Sequence, residues 1–228
     1  MKYMVTKKAK TKTTTVRSHP LKVRVTKKNP TGVTIRDQHL RRLPGTDLNA
    51  EEIRSVFEKY DRKGLVYPTK NRLREYPKAD LYDDLIAVWS DYFNKKFKAD
   101  PPLDPDSIKA LIASESGFEL DPKGNPVAIG IAQITRPTFE ILQDPGGEAK
   151  AFIFKGIRQK DLKDPEIAIP LAVRWLNRKR VVAESILGRK PNHEEIILSY
   201  KGMLMSQTDL KKTALKNYRK HYADLKSR

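Results

Sequence analysis

The chain of 228 residues contains no cysteine, which excludes a disulfide framework and any thiolate-bound metal. It also lacks a long apolar run; nothing approaches the roughly 20 residues that a membrane-crossing helix requires. The first thirty residues are basic, but the apolar stretch of a secretory leader does not follow them. These absences predict a protein made in the cytoplasm, without a recognisable signal peptide or a transmembrane segment. Acidic residues are missing from positions 1–36, which hold 11 of the 46 Lys and Arg. The remaining 35 basic and 28 acidic residues leave only +7 of the net +18 for the rest of the chain. Such a Lys/Thr-rich segment buries too little apolar surface to offset its ordering entropy. It reads as a basic, unstructured arm, with LKVRV alternating like a short edge strand. Aromatic side chains do not interleave with its cations, so sequence-specific binding of nucleic acid is not expected. Anionic envelope polymers suit it better.

From Leu48 the pattern turns helical. Asn49 and Glu52 are spaced as a capping pair, and Ile53, Val56, Phe57 and Tyr60 share one face. A Gly/Pro-containing loop follows. Leu81, Leu85, Trp89, Tyr92, Phe93 and Phe97 then recur at helical spacing as a core-facing stripe. Asp104 before Pro105 starts a further helix, and Gly117 ends it. Beyond lie four more helical stretches, no internal repeat and no convincing β-sheet. The fold class expected is mostly α. Three parts are expected: a basic arm over 1–36, a helical N-terminal extension over 37–100, and a compact helical domain over 101–228.

The helix after Asp104 carries one unusual residue. Ile108, Leu111 and Ile112 form its apolar face, and Glu115 falls next on that face, where the helix stops. Partial burial and the negative end of the helix dipole both favour the protonated carboxyl. A carboxylic acid that keeps its proton near neutrality is what a general acid needs. The alternative on the helix alone is a carboxylate bonded by a neighbouring loop. Tyr200 lies four residues after Ile196 and three after Ile197, so periodicity would also let it be core.

Other residues bear on Glu115. Glu115-Ser116 is followed by AIGIAQIT, residues 128–135, and much later by ILSYKGM, residues 197–203. Together these resemble the three motifs of the lytic transglycosylase and goose-type lysozyme superfamily: Glu-Ser at a helix end, Gly-x-x-Gln, and an Ala-Tyr-Asn-Ala-Gly-like segment. Gly130, Gln133 and Ile134 fit the second motif, with Pro137 one place late. Ser199-Tyr200-Lys201-Gly202 fits the third, with Lys201 where the family has Asn. The resemblance spans residues 101–205 and implies a lysozyme-like α-helical catalytic domain. It also implies cleavage of the β-1,4 bond between N-acetylmuramic acid and N-acetylglucosamine in peptidoglycan, leaving 1,6-anhydro ends. Glu115 would be acid and then base, and Ser116, Gln133 and Tyr200 would serve the substrate. The Tyr200 hydroxyl would reach toward the carboxyl. No metal or organic cofactor is implied.

An ammonium beside Glu115 would oppose the acid, so Lys201 is expected to point outward or to be neutralised by Glu194 or Glu195. Two other functions stay in view. A hydrolytic muramidase would want a second carboxylate, for which Asp121, Glu140 and Asp144 are available; the other is a non-catalytic basic binding protein. His19, His39, His193 and His221 lack metal-ligand spacing. The basic arm and the family suggest a phage endolysin or similar lysin, carried to the periplasmic cell wall by a lysis system, virion or secretion machinery.

Overall fold

A computed structural model of the chain describes residues 13–16, 19–22, 33–36, 39–42, 47–122, 127–206 and 209–227. Contacts divide the chain into two units, Met1–Asp47 and Leu48–Arg228. In the first, β1 (Thr13–Val16) pairs antiparallel with β4 (His39–Arg42), and β2 (His19–Lys22) with β3 (Val33–Arg36). Regular structure therefore appears where composition predicts none, and strands continue past residue 36, where helix is expected. The local reason is β-branching: Thr13, Thr14, Thr15 and Val16 in β1, and Val33, Thr34 and Ile35 in β3, favour the extended backbone. Of the LKVRV stretch, Leu21 and Lys22 lie in β2 and residues 23–25 fall outside the described residues.

The second unit is helical. A two-residue strand, β5 (Asp47–Leu48), leads into it, and the Leu48 carbonyl accepts from the Lys155 N–H at 2.8 Å, just after β8 (Ile153–Phe154). Helix α1 (Ala50–Lys59) opens with the expected reciprocal cap. The Glu52 N–H donates to Asn49 at 2.9 Å, and the Asn49 N–H donates to Glu52 at 2.8 Å. In α2 (Asp83–Phe97) Leu85, Trp89 and Phe93 are buried, with Tyr92 and Phe97 half-buried against the same core. Leu81 departs from that stripe. It lies in a 3₁₀ turn, Ala79–Tyr82, before α2, and is 73% exposed. A three-residue turn rotates the face by about 20° per residue relative to an α-helix, so the extrapolated stripe misses the core.

Helix α3 (Pro105–Ser116) is the central element. Asp104 caps it by accepting from the Asp106 N–H at 3.1 Å, and Gly117 closes it in the left-handed region at φ +59. All residues from Pro105 to Ala113 are buried. Each of Ile108, Leu111 and Ile112 contributes about 1.5–3 kcal/mol through burial. Around α3 and α5 (Pro165–Leu187) pack α2, α6 (His193–Tyr200) and α7 (Asp209–Lys226). The hydrophobic core runs without a break from Leu48 to Leu225, so residues 48–100 and 101–227 share it.

Between α3 and α4 (Arg136–Gln143) sits a small hairpin, β6 (Ala128–Ile129) against β7 (Ile134–Thr135). Its turn depends on Gly130, at φ +73, where a Cβ would lie 1.9 Å from the Leu162 carbonyl oxygen. That close approach leaves room for glycine alone.

Candidate active site

The three sequence motifs meet at one end of α3. Glu115 is the next-to-last residue of that helix, and Ser116 is the last. The Ser116 hydroxyl donates to the Ile131 carbonyl at 2.6 Å and accepts from the Phe118 N–H at 3.1 Å. It ties the helix end to the hairpin turn. From the other side the Tyr200 hydroxyl, at the end of α6, donates to the Ala132 carbonyl at 2.8 Å. Gln133 adopts φ +49, and both its N–H and its side-chain amide donate to the Gly130 carbonyl at 3.0 Å. The turn is thus held by one residue from each flanking helix.

Glu115, Gln133, Tyr200 and Lys201 line a cleft of about 520 Å³, together with Thr135, Thr138, Trp175, Lys179 and Met203 among others. Ser116 is not part of that lining; its hydroxyl is engaged behind the wall. Tyr200 is oriented differently from what the resemblance suggests, since its hydroxyl bonds the Ala132 carbonyl rather than the Glu115 carboxyl. Burial, and after it the Glu115 charge, push the Tyr200 pKa well above the ordinary phenol value. Its hydroxyl therefore stays a neutral donor.

Lys201 overturns a sequence expectation. Its ammonium points inward and bonds Oε1 of Glu115, with the two side chains 14% and 18% exposed. Glu194 and Glu195 do not neutralise it: Glu194 pairs with Arg219 at 2.7 Å and Glu195 with Arg189 at 2.6 Å. Being the C-cap of α6, directly after Tyr200, Lys201 is placed at the cleft by the same helix end.

No other acidic residue lines the cleft among the described residues. Asp121 pairs with Lys163 at 2.8 Å, Glu140 with Arg136 at 2.9 Å, and Asp144 caps the Gly146 N–H at 2.7 Å. In the same lining the Lys179 ammonium lies 4.1 Å from the centre of the Trp175 ring. Sequence reading missed this pair. Its signal was the i, i+4 spacing on α5, which puts both residues on one face.

A family model described as Transglycosylase SLT domain matches residues 91–222. The chain belongs to this family. The match runs from the middle of α2 into α7 and includes every cleft residue named above. Members of the SLT family are lytic transglycosylases that act on peptidoglycan, so the protein is an enzyme of the cell wall. A search of curated proteins found no match to it. Among the described residues no helix is long and apolar enough to cross a membrane.

Proposed function

We propose that this SLT enzyme cleaves the β-1,4 bond between N-acetylmuramic acid and N-acetylglucosamine with Glu115 as its single acid and base. The observation that carries this is the cleft's composition: among the described lining residues Glu115 is the only carboxylate. As an acid, Glu115 gives its proton to the glycosidic oxygen, and the bond from that oxygen to the muramoyl anomeric carbon breaks. The muramoyl N-acetyl oxygen supports the carbon in the interval, a substrate-assisted route that needs no carboxylate nucleophile. Glu115, now a carboxylate, takes the proton of the muramoyl 6-hydroxyl. The freed oxygen closes on the anomeric carbon to give the 1,6-anhydro end. A muramidase that activates its water with a second carboxylate finds none in the described lining, and Asp121, Glu140 and Asp144 are each engaged away from the cleft. Gln133 and Tyr200 act here by shaping the wall that presents Glu115, with the Gln133 amide at the sugar. Ser116 supports them from behind.

Glu115→Gln keeps the shape and removes the transferable proton. Clearing of purified cell walls is expected to fall at least about 10²-fold, the usual reach of general acid catalysis. Undiminished clearing by that variant would remove Glu115 from the reaction.

The same proposal assigns the enzyme to bacterial lysis, as in a phage endolysin. The acid-free basic segment 1–36 would add electrostatic attachment to anionic envelope polymers. Removing that segment should weaken binding to cells at low salt and make little difference at high salt, where charges are screened. Equal binding with and without the segment at low salt would remove the attachment role.

A further inference from the structure

The inward-facing Lys201 sets a condition on the reaction, which rests on the reading of Glu115 as the acid. While Oε1 of Glu115 accepts from the Lys201 ammonium, that oxygen is an acceptor and cannot donate a proton. A proton carried on Oε2 instead would leave the ammonium against a neutral carboxyl, so in either case the acid step takes the counter-charge away from Lys201. Once Glu115 carries a proton taken from solvent, the described lining of the cleft holds two ammoniums, Lys201 and Lys179, and no carboxylate. Lys179 has a distant partner in Glu148, at 3.7 Å, and Glu148 is shared with Arg178 at 3.2 Å. Among the described residues Lys201 has none in reserve, because Glu194 and Glu195 are bonded to arginines. A largely desolvated ammonium without a counter-ion is costly. The missing anion has to arrive with the substrate.

We propose that the Glu115–Lys201 pair is a latch that a carboxylate on the glycan opens, drawing Lys201 to itself and freeing Glu115 for the acid step. The ligand of Lys201 is thus a carboxylate borne by the muramoyl residue. Two sources supply it in peptidoglycan: the lactyl group where the peptide has been removed, and the peptide stem where it has not. A neutral β-1,4 glycan lacks it and leaves the latch closed.

The test compares three kinds of glycan strand that present their carboxyl groups differently. Peptide-free strands with lactyl carboxylates, the same strands after methyl esterification, and strands with peptide stems are each digested by the whole protein. The wild type is expected to cleave strands that carry the opening carboxylate, lactyl or stem, with kcat/KM about tenfold above the esterified ones, the equivalent of one charged hydrogen bond. A high rate on stem-bearing strands but not on lactyl-bearing ones would assign the anion to the stem, and the reverse would assign it to the lactyl group. Lys201→Asn, with the amide the family carries, and Lys201→Met should both lose this discrimination and cleave esterified strands faster than the wild type. Equal wild-type rates on all three kinds of strand would overturn the latch, and that comparison needs no variant to fold. So would discrimination that survives in Lys201→Met. Glu115→Gln separates the two claims. If it stays active, the acid assignment fails; if it is inert while the wild type cleaves all three strands equally, only the latch fails.

Discussion

Helix α3 carries an ion pair at each end, and the two are built for opposite purposes. In its first half Lys109 is fully buried, 2.7 Å from Asp83, itself 2% exposed, and bonded also to Asp80 and to the Thr69 carbonyl at 3.1 Å. At its last turn Glu115 meets Lys201 at the wall of an open cleft. The first pair is sealed among its partners and joins α2 and its preceding turn to α3. Three partners hold its ammonium in one geometry, while burial still outweighs the pairing at Asp83 and pushes that carboxyl up to about 6. The second keeps one face toward solvent, and each partner has a single ionic contact. A pair that can exchange partners belongs where a substrate arrives; a sealed one belongs in the frame.

The largest expected effect breaks the sealed pair. Lys109→Met leaves Asp83 and Asp80 facing each other without their cation and should cost about 3–5 kcal/mol of stability. Lys201→Met should cost less, about 1–2 kcal/mol, because Glu115 lines the open cleft and retains some access to water. Urea midpoints of the two variants measure the contrast directly, and equal losses would erase it. Next come the residues that hold the hairpin turn behind the open pair. Ser116→Ala removes the bonds to Ile131 and Phe118 and should cost about 1–2 kcal/mol. Tyr200→Phe removes only the bond to Ala132 and should cost about 1 kcal/mol. Turnover should fall severalfold in both while far-UV circular dichroism is unchanged; full turnover in either would make that tether dispensable to the site.

A smaller effect comes from His221 on α7. It packs edge-on against Tyr76, whose ring in turn contacts Phe118 just past the end of α3. Burial, and then the neighbouring Lys220 charge, hold its imidazole below the ordinary value of 6.5. The unfolded chain binds this proton more readily, so the contribution to stability is complete above about pH 6.5 and is lost as pH falls through the lowered folded value. The melting temperature should drop on acidification below about pH 6.5, and His221→Gln should flatten that part of the profile. An unchanged slope in the variant would assign the acid sensitivity to other groups.

The helices of this fold were legible because their signals are local. The Asn49–Glu52 cap, the Asp104–Pro105 start and the Gly117 stop each act within one turn of chain, and each is found where the pattern places it. Leu81 shows the limit, since one 3₁₀ turn ahead of α2 shifts the phase of an apolar stripe. Of the strands in the first 42 residues only LKVRV gave a signal, because pairing is non-local and composition alone reports only low apolarity. At the candidate site the gathering of Glu115, Gln133 and Tyr200 around one cleft was readable from motif order. The direction of Lys201 was not. It depends on how α6 ends beside α3, and on arginines from elsewhere engaging Glu194 and Glu195. Lys109 escaped for the same reason, as its buried partners come from other elements.

The central claim is that one carboxyl, Glu115, serves as acid and then base with no second carboxylate in the cleft. The mass of the products tests it most directly. Purified peptidoglycan digested by the wild-type protein should yield muropeptides ending in 1,6-anhydro-muramoyl residues, each one water lighter than its hydrolytic counterpart. Products that carry reducing ends throughout would contradict the account and mean that water, not the muramoyl 6-hydroxyl, closes on the anomeric carbon.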